Sequence, residues 1–138
     1  MVAAVDIARE WLLAFESCVR RLDFAGAREM FDPRTLGFGS EADDNLVGLD
    51  MLERRQWRQV WPMIERFTFD MEGLQVFGDA GGNDIGLAVR WTSTGVAENG
   101  DRFPRPGRAT LVLRKTGRTW LCCHSHFSLV PGVHRARR

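Results

Sequence analysis

The chain has 138 residues, 44% of them hydrophobic, enough to bury one core without disulfides or metals as staples. Its 19 basic and 18 acidic residues leave a formal net charge of +1 and are interspersed, so no single-sign field draws it to nucleic acid or to a membrane. Cys18, Cys122 and Cys123 are odd in number and lack framework spacing, which predicts a reduced, cytoplasmic protein. The opening MVAAVDIAREWLLAF carries acidic residues and spaced rather than continuous apolar ones, so it reads neither as a leader nor as a membrane span. One domain over residues 1–138 is expected, with a basic tail from about residue 132 that frays.

In chain order, Ile7, Trp11, Phe15, Cys18 and Leu22 recur at helical spacing and predict an amphipathic helix over 6–22. Asp23 can cap a second helix over 24–31, which Asp32-Pro33 stops. Residues 35–40 read as a short strand and 41–45 as an acidic loop. A third helix is expected from Asp50, with Glu53 completing a capping box, to about Trp61 before Pro62. Beyond it the period changes to two. Phe67, Phe69 and Met71 alternate with polar residues, residues 79–83 form a turn, and Leu87, Val89 and Trp91 share one side of a strand over 85–95. A polar loop over 96–107 leads to strands over 108–114 and 119–130, joined by a tight turn at 115–118. Helices followed by an antiparallel meander predict an α+β domain, with the helices packed on one face of a curved sheet.

This order of elements resembles the nuclear transport factor 2-like fold, a cone-shaped α+β roll with three N-terminal helices on a curved, mostly antiparallel sheet. Two motifs sharpen the resemblance: Phe31-Asp-Pro33 followed by Phe38-Gly-Ser40, an acidic loop and Gly48, and the ending GRATLVLRKTGRTWLCCHSHFS. Both are similar to the SnoaL-like group, related to polyketide cyclases and ketosteroid isomerases. The ending also resembles the association domain of calmodulin-dependent protein kinase II. The fold hosts enzymes and assembly modules alike, so function must come from the site.

The resemblance to ketosteroid isomerase implies a general-base aspartate where this chain has Gly39, and an oxyanion-hole tyrosine where it has Phe15. The chain contains no tyrosine. Without a titratable group and a donor at those positions, steroid isomerisation is rejected and no catalytic residue is assigned. His124 and His126 alternate on the last strand, but a metal site needs a third ligand, and Glu41, Asp43 and Asp44 sit in a loop, so neither metal nor cofactor is expected. The resemblance to the kinase association domain implies that Cys123, Ser125 and Phe127 face the pocket and both histidines face outward. It also places three pocket arginines at Arg90, Leu111 and Phe127, which leaves Arg90 as the one retained cation.

Gly37 and Gly39 leave one face of the first strand bare, either as a bend or as room for a ligand. The expectation is a mostly apolar pocket lined by Trp11, Phe15, Trp57, Trp61, Leu111, Ser125 and Phe127, taking a small hydrophobic molecule or a carboxylate held by Arg90. The rival expectation is a homodimeric assembly module that pairs through an outer sheet face bearing Trp91, Trp120, His124 and His126.

Overall fold

The computed structural model describes residues 2–78 and 81–133. The expected basic tail over 134–138 and part of the turn at 79–83 lie outside them. Helix α1 (Ala4–Arg21) buries Ala8, Trp11, Leu12, Phe15, Cys18 and Val19; Trp11, Phe15 and Cys18 belong to the expected stripe, while Ile7 is half-buried and Leu22 lies exposed beyond the helix. It ends where Leu22 turns left-handed (φ 55°) and the Asp23 N–H donates to the Cys18 carbonyl at 2.8 Å. The Asp23 carboxylate then accepts from the Gly26 N–H at 2.9 Å and caps α2 (Phe24–Arg28).

Helix α2 is shorter than its sequence suggests, because Phe31 already belongs to strand β1 (Phe31–Phe38). There Phe31 pairs in parallel with Cys122, and the Cys122 N–H donates to the Met30 carbonyl at 2.9 Å. Pro33 is tolerated inside the strand because the pairing is interrupted between Phe31 and Leu36. Strand β2 (Leu46–Val47) adds to the edge of β1.

Helix α3 covers residues 49–63, passing through a π-helical turn at Glu53–Trp57 and closing in a 3₁₀ turn at Trp61–Met63 that accommodates Pro62. The expected Asp50/Glu53 capping box does not form, since Gly48 (φ 90°) precedes the helix without a side-chain cap. Glu53 is instead recruited by tertiary charge. It accepts from Arg28 at 2.9 Å and from Arg58 at 2.7 Å, and Arg28 also reaches Asp50, which ties α2 to α3.

Strands β3 (Ile64–Phe69), β4 (Gln75–Gly78), β5 (Asp84–Val96), β6 (Arg102–Pro104), β7 (Gly107–Thr116) and β8 (Thr119–Leu129) complete a mixed, open sheet in the order β2-β1-β8-β7-β5-β3. The 13-residue β5 is its spine: β4 and β3 pair along one edge, β7 and β6 along the other. Strand β6 therefore occupies part of the segment read as a loop. Among the described residues no helix is long and apolar enough to cross a membrane.

The helices close over the sheet with aromatic rings. Phe15 contacts Trp11, Phe31, Trp57, Trp61 and Phe127 at centroid separations of 5.1–6.1 Å, so one residue of α1 touches β1, α3 and β8 at once. Phe15→Ala is expected to cost about 3–5 kcal/mol, read as a lower midpoint in urea unfolding.

Glu53 supplies a pH test. Burial raises its carboxyl pKa, but hydrogen bonds and charge from Arg28 and Arg58 outweigh it and hold the group below its ordinary value. Its contribution is present above the ordinary carboxylate range and is lost as pH falls through the lowered value. The stability difference between the native chain and Glu53→Gln should therefore shrink between about pH 7 and about pH 3 in urea titrations.

Candidate functional site

Side-chain direction along β5 and β8 decides what the cone contains. On β5, Leu87, Val89 and Trp91 are buried while Arg90 is exposed on the opposite, outer face. This corrects both expectations on that strand: Arg90 is not a pocket cation, and Trp91 is not on an outer pairing surface. An aromatic ring gains more from the covered face than a guanidinium does, and the period of two then forces Arg90 outward.

On β8 a bulge changes the count. Leu113 pairs with Cys122 and Val112 with His124, so Cys123 is the extra residue. Before the bulge Trp120 and Cys122 face the helices, and Trp120 packs against the core rather than lying outside. After it Ser125 and Phe127 face inward, while His124 and His126 face outward. Cys123 is the member of the expected inward set that turns out, toward Arg114 and His124. Burial pushes the thiols of both Cys122 and Cys123 above their ordinary range, which suits packing rather than nucleophilic attack.

A cavity of about 40 Å³ remains between the helices and the sheet. Phe15, Trp57, Trp61, Ser125 and Phe127 line it as expected, whereas Trp11 and Leu111 are packed into the core beside it. The sequence reading missed its polar wall. Arg105, Gln56 and Ser40 stand together there, with Phe38 at the rim.

Each member of the wall is fixed by its backbone or by a hydrogen bond. The Arg105 N–H donates to the Ser93 carbonyl at 2.8 Å, and its own carbonyl accepts from the Ser93 N–H and Oγ, which holds the Pro104-Arg105-Pro106 segment against β5. Arg105 is 6% exposed as a residue; its guanidinium donates to Ser40 Oγ at 2.9 Å and lies 5.6 Å from the Trp91 ring centroid. Gln56 accepts from the Glu41 N–H at 3.0 Å and donates to Ser40 Oγ at 3.1 Å. Burial lowers the Arg105 pKa, opposed by the charge of Glu41. The ion pairs among the described residues do not include Arg105.

The bare face of β1 is not empty. The Gln56 amide lies where a Cβ at Gly39 would sit, and Ser125 and Leu52 close over Gly37. A Cβ at 39 would therefore oblige the Gln56 side chain of α3 to shift. One signal for Arg105 was legible: a cation between two prolines, in a loop that proline stiffens. Among the described residues no three His, Cys, Asp or Glu side chains gather to hold a metal ion.

The sequence model of the SnoaL-like domain matches residues 8–132. The chain belongs to the SnoaL-like family. No curated protein matches it. Among solved structures, this SnoaL-like domain is similar to a nuclear transport factor 2-like superfamily protein from Salmonella enterica, at TM-score 0.76 and 16% identity over 95% of this chain and 97% of that one. It is also similar to a ketosteroid isomerase-like protein from Erwinia carotovora atroseptica, at TM-score 0.77 and 14% identity over 91% and 95%. A third is the association domain of C. elegans CaMKII, at TM-score 0.69 and 19% identity over 89% and 92%. Identities this low establish the cone-shaped fold and nothing about activity.

Gly39 offers a direct test of the site. Gly39→Asp would restore the acid that the isomerase resemblance implies, but its side chain must displace Gln56. The expected outcome is a loss of about 1–3 kcal/mol in denaturant unfolding and no isomerisation of a 3-oxo-Δ5-steroid followed by absorbance.

Proposed function

We propose that this SnoaL-like domain binds a small carboxylate in the cone, with Arg105 rather than Arg90 as its anchor. The carrying observation is the burial of Arg105 against the Trp91 ring, where its side-chain hydrogen bond goes to a neutral hydroxyl. A cation in such a setting gains most from a charged acceptor, and a carboxylate entering past Phe38 and Ile64 would supply one. The cavity is far smaller than the roughly 150 Å³ that encloses a benzene ring, so the buried part of the ligand is the carboxylate and a carbon or two. Among the described residues none lining the cavity is a carboxylate or an imidazole, which favours binding over acid–base isomerase, cyclase or hydrolase chemistry. A reduced, cytoplasmic setting belongs to the same proposal, since Cys18, Cys122 and Cys123 are all free thiols.

Thermal-shift and calorimetric titrations with acetate, propionate and benzoate test it. Saturable stabilisation by at least one acid is expected, weakened about tenfold or more by Arg105→Leu. Equal responses from the native and Arg105→Leu chains would overturn it.

A second reading, homodimerisation through the outer face, is favoured by one observation. Leu36, Phe38 and Val47 remain exposed together beside His126, whose ring lies 5.2 Å from that of Phe38. The likeness to an association domain points the same way. Sedimentation velocity should show a dimer that Leu36→Glu converts to monomer; a native monomer at about 100 µM would count against it.

A further inference from the structure

The outer face carries a second polar site, separate from the cone. Its geometry comes from the β5–β7 ladder, in which Asp84, Gly86, Ala88 and Arg90 stand opposite Arg114, Val112, Thr110 and Arg108. At one end the pairing is complementary, with Asp84 and Arg114 bonded at 2.8 Å. At the other end Arg90 and Arg108 face each other directly, a like-charge cross-strand pair that by itself destabilises the ladder. Among the described residues neither arginine enters an ion pair. The one side-chain hydrogen bond there runs from Arg108 Nε to Ser128 Oγ at 3.4 Å.

Between these arginines and the neighbouring strands lies an open groove of about 460 Å³. Its floor is low because Ala88 and Thr110, the pair next along the ladder, are small. Its walls are Arg90, Arg108, Gln75 from β4, and His126 and Ser128 from β8. Asp70 precedes the turn that leads into β4. Its N–H donates to the Arg90 carbonyl, but its carboxylate turns back against Gly73 and makes no ion pair with either arginine.

We propose that this groove binds the phosphate group of a small phosphomonoester. Two facing guanidiniums match a dianion better than a single carboxylate, and they offer in-plane pairs of N–H donors to phosphate oxygens. The Gln75 amide, the Ser128 hydroxyl and the His126 ring add donors around them. The groove's volume of about 460 Å³ leaves room for a small organic group beyond the phosphate. An anion seated there would turn the repulsive pair into a stabilising bridge.

The test is calorimetric titration of the full chain with inorganic phosphate, propyl phosphate and malonate at constant ionic strength. Propyl phosphate is expected to bind with Kd below about 1 mM, more tightly than malonate. Arg90→Gln and Arg108→Gln should each weaken it about tenfold or more, while Arg105→Leu leaves it unchanged. Without phosphate at low salt, Arg90→Gln should keep or raise the Tm, because it relieves the repulsion. The proposal is overturned by an absence of saturable binding up to about 20 mM, by unchanged affinity in the two outer-face variants, or by malonate binding as tightly. A lowered Tm in phosphate-free Arg90→Gln would equally overturn it, since the arginine would then be structural. Because Arg105→Leu empties only the cone, failure of the carboxylate proposal and failure of this one give different results.

Discussion

The indole of Trp91 lies on the bare backbone of Gly107, its register partner across the β5–β7 ladder, so that a Cβ at Gly107 would overlap the ring. Phe67 and Phe127 hold that ring from the sides, and the Arg105 guanidinium stands over it. With Trp91 seated, the parity of β5 is settled, and with it the division of the sheet into an inner aromatic face and an outer charged one. Arg90, one residue away, has no choice of side.

The inner face then depends on how closely rings from different elements can interlock. Phe15 from α1, Trp57 and Trp61 from α3, and Phe127 from β8 fill most of the cone, which leaves a small cavity and one polar wall. That wall is assembled from three distant stretches. Ser40 follows β1, Gln56 comes from the π-helical turn of α3, and Arg105 lies between β6 and β7. The backbone pairing of Arg105 with Ser93 brings the loop over the cone, and Gly39 makes room for Gln56. An arginine so placed loses its hydration, and its side-chain hydrogen bond goes to the Ser40 hydroxyl rather than to a carboxylate.

The outer face follows a different logic. Its side chains stand in water, so like charges can be tolerated there at modest cost, and the facing Arg90 and Arg108 are such a case. The contrast with Asp84 and Arg114, farther along the same ladder, shows that the strand pairing accepts complementary charge where it is supplied. Leu36, Phe38 and Val47, at the far edge of this face, form an apolar patch separate from the arginines.

Much of the architecture was legible in the sequence, because it rests on local periodicity. Most of the α1 stripe, the Asp23 cap, the change from period 3.6 to period 2, and the shared side of Leu87, Val89 and Trp91 follow from residue type and spacing, whereas only packing shows that this side is the buried one and not an outer pairing face. What periodicity does not contain is an added residue. The bulge at Cys123 reversed the facing of Trp120 and Cys122 relative to simple alternation. The position taken over from a distant relative, Arg90 inside the cone, failed where the chain's own alternation held. Gln56 on Gly39 and Arg105 on Trp91 are contacts between segments 17 and 14 positions apart, so only the folded chain brings them together. The sequence by itself determined the main helices and strands and which residues share a side, since those are properties of neighbours along the chain, but not the short strands β2 and β6. The tertiary structure alone decided that Arg105 is the buried cation and which side each residue of β8 takes around Cys123, because these depend on contacts with distant segments, the loop of Arg105 on Ser93 and Trp91 and the pairing of β8 with β7.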